Sequence, residues 1–302
     1  MAKLIQWFPG HMKKAMRDME EKRALCDGVI CVLDSRAPIA TYNPKLPEIF
    51  AGKPVLYVLN KSDLSDGKSE KFAAMIEAQG KPCVAISAVN GASRRVLEKR
   101  LQILTKEKRE RAESKGVTRR FRYTVVGIPN TGKSTVVNLL GGAKRAKTGD
   151  IAGVTRDVRW IKCADFDLLD TPGTMPPSCK TQYLARHLAY IGSLNDDILD
   201  IADVALELLK ELKANYPAAL QERYGIDCGG NNAETDKTAD EEERTSEAVE
   251  MLETACRRRG FILRGGEFDY ERGARAVIDD FRKGRLGKIC LENPSDFADV
   301  KF

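Results

Sequence analysis

The chain has 302 residues, 42% of them hydrophobic, and a formal net charge of +6: long enough for two domains, apolar enough for a real core, and basic enough to permit a polyanionic partner without requiring one. Eight cysteines with no Cys-x-x-Cys pair argue against a structural zinc site and a disulfide framework, and for reduced thiols. No apolar run approaches the ~20 residues of a membrane span, and the first residues lack the apolar core and cleavage site of a secretion signal.

In chain order, Pro9-Gly10-His11 reads as a loop and residues 12–26 as a helix, with Met12, Met16 and Met19 on one side as a packing stripe. Residues 28–34 form a buried-type strand that ends in Ser35-Arg36-Ala37-Pro38. Residues 55–59 form the next strand, which runs into Asn60-Lys61-Ser62-Asp63. A helix at 68–79 and a strand at 83–86, ending at Ser87-Ala88, complete a βαβ pattern. That pattern implies a parallel sheet, whose ligands sit at the carboxyl ends of the strands.

Residues 94–113 read as one charged helix, and the basic stretch ending Arg119-Arg120-Phe121-Arg122 as a solvated linker. A strand at 121–126 leads into Gly127-Ile128-Pro129-Asn130-Thr131-Gly132-Lys133-Ser134-Thr135 and a helix at 134–140. Residues 146–155 read as a Gly-rich loop. Strands at 158–163 and 166–169 follow, the second ending at Asp170-Thr171-Pro172-Gly173. After Pro176-Pro177 the pattern is helical throughout, at 182–191, 196–213, 241–259 and 269–283, with a polar loop at 229–240. The last helix carries an apolar stripe at Tyr270, Ala274, Val277, Ile278 and Phe281. Its wheel turns Arg272, Arg275, Arg282 and Lys283 away from that stripe, a basic face and a candidate RNA contact. The expected organisation is an α/β domain at 1–177 and a helical domain at 178–302.

The 127–135 stretch fits Gly-x-x-x-x-Gly-Lys-[Ser/Thr] between a strand and a helix. A Gly-rich turn at a helix N-terminus aims backbone N–H groups at an anion, so residues 130–135 are candidate phosphate contacts. Lys133 reaches the β- and γ-phosphates, and the Ser134 hydroxyl ligates Mg²⁺. Asp63 can accept two parallel hydrogen bonds, from the ring N–H and the exocyclic amine of guanine, a pair adenine lacks. Buried acceptors left unpaired reject the wrong base by roughly 10⁴-fold. Asn60 can bond the other edge of the purine, the Lys61 stem can cover the base, and the Ala88 N–H after Ser87 can meet the guanine carbonyl. Asp170 can hold Mg²⁺ through a water, and the Gly173 N–H can meet the γ-phosphate. Thr155, preferred over Thr148, completes the octahedral oxygen shell of the metal.

This set resembles the GTPase motifs, but the guanine-reading motifs precede the phosphate loop and Asp-x-x-Gly comes last, an order that resembles the circularly permuted GTPases. Gln6-Trp7-Phe8-Pro9-Gly10-His11-Met12, Asp34-Ser35-Arg36-Ala37-Pro38 and a helical tail without zinc ligands resemble the ribosome biogenesis GTPase A family. The resemblance implies a P-loop GTPase fold with a permuted, parallel-type sheet flanked by helices, followed by a smaller all-helical domain. It implies a cytoplasmic assembly factor for the large ribosomal subunit, whose GTP hydrolysis is slow alone and stimulated by the particle, with neither DNA nor a membrane as partner. The alternative is a GTP-gated rRNA-binding scaffold whose turnover matters little. By the same resemblance His11 is the catalytic histidine, acting alongside Lys133, and Asn130 holds K⁺ beside the phosphates. These would compensate for Thr174, which stands where many GTPases carry a water-orienting Gln and where this family usually has an apolar residue. His187, within a helix, reads as structural.

Overall fold

The structure is a computed structural model that describes residues 10–142, 159–176, 179, 181–228 and 240–302, the first four and Glu241 by backbone alone. Among the described residues six strands form one sheet: β1 (Gly28–Asp34), β2 (Val55–Asn60), β3 (Cys83–Ala85), β4 (Phe121–Val126), β5 (Arg159–Lys162) and β6 (Phe166–Asp170). Their spatial order is β3-β2-β1-β4-β6-β5; all neighbours are parallel except β5 and β6. Around the sheet lie α1 (Gly10–Lys22), α2 (Lys45–Ile49), α3 (Lys68–Ala78), α4 (Ser93–Leu104), α5 (Lys106–Glu113) and α6 (Lys133–Gly141). C-terminal to the sheet, the described residues form α7 (Gln182–Tyr190), α8 (Ile201–Asn215), α9 (Pro217–Tyr224), α10 (Glu241–Arg259) and α11 (Tyr270–Arg282). Among the described residues no helix is long and apolar enough to cross a membrane.

The Val/Ile/Leu-rich β1 is buried along its whole length, as a central parallel strand covered on both faces must be. Its alternate side chains feed two cores. Ile30 and Val32 pack with Val125, Val136, Leu97 and Leu101, under α4 and α6. Val29, Cys31 and Leu33 join Tyr57 and Leu59 in a larger cluster that runs on through Leu188, Leu208, Leu252 and Phe281 of the C-terminal helices. Beyond α11 the chain returns to the sheet. Ile289 donates its N–H to Leu64 at 2.9 Å and Leu291 to Arg36 at 2.8 Å, while the Phe302 ring lies 4.6 Å from that of Tyr42.

Two expected helices are interrupted. The run at 94–113 breaks at Thr105, whose buried hydroxyl is held by Leu101 O (3.0 Å) and Tyr123 Oη (2.9 Å). The run at 196–213 begins as a 3-10 turn, Asp196–Ile198, and restarts at Ile201 because the Asp200 carboxylate captures the Asp203 N–H at 3.2 Å.

Candidate nucleotide-binding site

The polar loops converge because the register aligns the strand ends. Asp34 pairs with Asn60 across β1 and β2, and Val125 with Asp170 across β4 and β6, so every motif opens at the carboxyl edge of the sheet. In the 127–132 turn, Asn130 (φ +61°) and Gly132 (φ +88°) take left-handed conformations. A Cβ at Gly132 would collide with the Asn60 side-chain amide, which makes glycine obligatory there. The Lys133 ammonium is buried and donates to Ile128 O at 2.7 Å. Burial pulls its pKa down to about 8, against the charge of Asp170. Ser134 and Thr135 stand partly exposed in the first turn of α6, and Thr131 Oγ1 donates back to Ile128 O at 3.1 Å.

Asn60 joins three loops. Its Nδ2 donates to Thr131 O at 2.9 Å, and its Oδ1 accepts the Ala88 N–H at 3.0 Å. The base-side loops are therefore spliced to the phosphate loop by one side chain, and the Ala88 N–H is held by Asn60 here rather than left for a base carbonyl. Ser62 N–H donates to Ile86 O at 3.0 Å, and Ser87 O accepts the Ser93 hydroxyl at 2.8 Å, fixing the 86–88 segment. Asp63, by contrast, is exposed on the 3-10 turn Ser62–Leu64, with no hydrogen bond or ion pair among the described residues.

Beneath lies a network that motif reading missed. Lys61 (φ +62°) sends its ammonium to Asn130 O (2.6 Å) and to Asp34 Oδ2 (2.8 Å). Arg36 binds both oxygens of Asp34, at 3.0 and 2.8 Å. Burial alone would raise the Asp34 carboxyl, but the charges of Arg36 and Lys61 outweigh it and hold the pKa well below the usual carboxylate range. The available signal was the Asp-x-Arg placed directly after a buried strand.

Asp170 is fully buried, and neither carboxylate oxygen has a hydrogen-bond partner among the described residues. Arg159 Nε stands 3.7 Å away, too far for a hydrogen bond. Burial raises the Asp170 pKa. A buried carboxylate with no hydrogen bond fits a hard cation reached directly or through water, and the Ser134 hydroxyl in the first turn of α6 is the right donor type to share it, so these residues suit Mg²⁺. Gly173 lies against Pro129: a Cβ there would stand 2.7 Å from Pro129 N, so the Asp-x-x-Gly turn rests on the phosphate loop. Thr174 is buried, its N–H donating to Gly127 O (3.3 Å), its O accepting from Asn43 Nδ2 (3.0 Å), and its hydroxyl without a hydrogen-bond partner among the described residues.

Other candidates fare differently. His11 is in the first turn of α1, not in a loop as expected, and its side chain lies outside the described residues. Thr155 and Thr148 also lie outside them. Arg275 is exposed and pairs with Glu271, and Arg272 lies over the Phe261 ring at 4.4 Å. Arg282 corrects the helical-wheel reading of one basic face. It turns inward and binds both oxygens of Asp196 at 2.7 Å, because α7 packs beside it, a neighbour no wheel represents. His187 is fully buried between Glu211 (3.0 Å) and Glu292 (3.1 Å).

A family model described as "50S ribosome-binding GTPase" matches residues 122–251. The "Ribosome biogenesis GTPase A" of Bacillus cereus is 37% identical over 299 residues, spanning 98% of this chain and 96% of that protein. The protein of the same name from Thermotoga maritima is 28% identical, spanning 98% and 97%. Among solved structures, a GNP-bound YlqF from T. maritima superposes with a TM-score of 0.62 at 26% identity, covering 93% of this chain and 98% of that one. A GDP-bound YlqF gives 0.61, with 93% and 100% covered. Sheet order, loop convergence and these likenesses define a P-loop GTPase whose Asn60-Lys61-Ser62-Asp63 segment precedes its phosphate loop, a class that uses Mg²⁺. More narrowly, the chain belongs to the ribosome biogenesis GTPase A family.

Proposed function

We propose that the chain is a GTP-hydrolysing assembly factor that binds the precursor of the large ribosomal subunit and couples its GTP state to maturation of that particle, in the cytoplasm. The observation that carries the guanine-nucleotide part is Asn60, which splices the Asp63 loop, the Ala88 loop and the phosphate loop into one pocket. In this reading Asp63 takes the guanine N–H pair and Lys133 exchanges Ile128 O for phosphate oxygens. Ser134, Asp170 and Thr155 would hold Mg²⁺, which would supply charge neutralisation on the phosphates. The Gly173 N–H meets the γ-phosphate, and Asn130 contributes to a K⁺ site.

Residues 1–177 form the nucleotide-binding unit and 178–302 the rRNA-binding unit, with Arg272 and Arg275 as phosphate-backbone contacts. His11, at the start of α1, is the candidate catalytic histidine. One observation favours the second reading, a GTP-gated rRNA scaffold: Thr174, which stands where many GTPases carry a water-orienting Gln, is fully buried. Phosphate release with and without large subunits, in K⁺ and in Na⁺, together with particle maturation, measured for the native chain and His11→Ala, separates the two. Under the first reading, particles and K⁺ raise turnover and His11→Ala abolishes the rise. Under the second, His11→Ala leaves particle maturation intact.

A further inference from the structure

The phosphate loop is gripped from outside the sheet. Ser193 Oγ donates to Pro129 O at 2.7 Å, and Asn130 Nδ2 donates to Gly192 O at 2.5 Å. Both partners belong to the turn that follows α7. Arg282, the last residue of α11, clamps that turn: Nε donates to Tyr190 O at 3.0 Å, Nη2 to Ala189 O at 2.8 Å, and the guanidinium fork spans Asp196. Gly192 (φ +75°) is the point of contact, since a Cβ there would lie 3.1 Å from Arg282 Cζ and 3.2 Å from Asn130 Nδ2. On the opposite side, Arg36 Nη1 donates to Arg282 O at 3.1 Å, and Lys61 holds Asn130 O.

We propose that Arg282 and Ser193 are positioning residues for GTP hydrolysis. They hold Pro129 and Asn130 in the conformation that the transferred phosphate requires, without touching the nucleotide. The proposal rests on the GTPase reading of the pocket. Charge stabilisation by a phosphate loop depends on donors fixed before the reaction. A displacement of about 1 Å at such a site costs on the order of 10²-fold in rate. Pro129 is also the surface on which Gly173 rests, so the Ser193 bond sets the seat of the Asp-x-x-Gly turn as well. The guanidinium serves two helix-end carbonyls and both oxygens of one carboxylate at once, which a lysine ammonium has neither the donors nor the fork to match. The charge of Arg282 is thus spent on the architecture of the site.

The test uses the full chain. Steady-state GTP hydrolysis, GDP dissociation and thermal melting are measured for Ser193→Ala, Ser193→Thr, Arg282→Lys and the Ser193→Ala/Arg282→Lys double variant. Each of Ser193→Ala and Arg282→Lys is expected to lower kcat by about tenfold with a smaller change in KM. Ser193→Thr, which keeps the hydroxyl, restores the rate. The double variant falls no further than the worse single one, because both act through the same turn. Native kcat in both single variants, additive losses in the double, or a loss that Ser193→Thr does not restore overturns the proposal. A native chain that binds no GDP overturns instead the GTPase reading beneath it.

Discussion

Lys133 makes nucleotide binding pH-dependent in a calculable way. Its ammonium is buried, and burial lowers its pKa from the ordinary 10.5 to about 8. A bound polyphosphate favours the charged form; with the pKa in the complex returned to the ordinary 10.5, binding takes up a proton around pH 8 and above. The sign follows: affinity is full below about pH 8 and is lost as pH rises through it. Taking those two pKa values, uptake is about half a proton at pH 8, and GDP affinity falls about fourfold between pH 7 and 8.5. Calorimetric titration of GDP at pH 8 in two buffers of different ionisation enthalpy measures the uptake directly. Lys133→Arg keeps a cation that does not titrate and should abolish it. Equal heats in the two buffers, or the same uptake in Lys133→Arg, would refute the reasoning.

Three further outcomes follow from the same geometry. Asp63→Asn should move preference from guanine toward xanthine nucleotides in competition binding; an unaltered preference for GTP contradicts the role of Asp63. Asp170→Asn removes a fully buried charge that accepts no hydrogen bond among the described residues and meets Arg159 only at 3.7 Å, so the nucleotide-free protein should gain about 1–3 kcal/mol in urea unfolding while Mg²⁺-dependent hydrolysis falls; equal stability tells against a carboxylate whose burial is poorly compensated. For His187, burial works against protonation, but the hydrogen bonds to Glu211 and Glu292 outweigh it and hold the pKa at about 9, above the ordinary 6.5. The stability it contributes, about 3 kcal/mol, is therefore fully present below pH 6.5 and lost as pH rises through 9. The gap between native and His187→Gln unfolding free energies should close between pH 6 and pH 10, and a constant gap would falsify the assignment.

The strands and motif loops were legible because β-branched runs and Gly-rich, polar loop ends are local signals. All six strands appear where the pattern placed them, within a residue or so at their ends. What escaped was tertiary. Thr105 looks like any helix residue until Tyr123 takes its hydroxyl. Arg282 looks like an exposed base until α7 places Asp196 and two carbonyls beside it. The triad of buried Asp34 and Arg36 with half-buried Lys61 needs the register of β1 and β2 to bring its parts together. Glu292 carries no motif at all, yet its buried carboxylate accepts the Ile39 and Ala40 N–H groups and the His187 ring, tying the returning C-terminal segment to the loop after β1.

The most direct measurement is a pair of calorimetric titrations of the folded chain, one with GDP and one with ADP, in Mg²⁺. One pocket, with its base-reading carboxylate at Asp63 and its phosphate cradle at 130–135 held together by Asn60, predicts saturable one-to-one heat from GDP and none from ADP at the same concentrations. Equal uptake of both nucleotides, or heat from neither, would contradict the account.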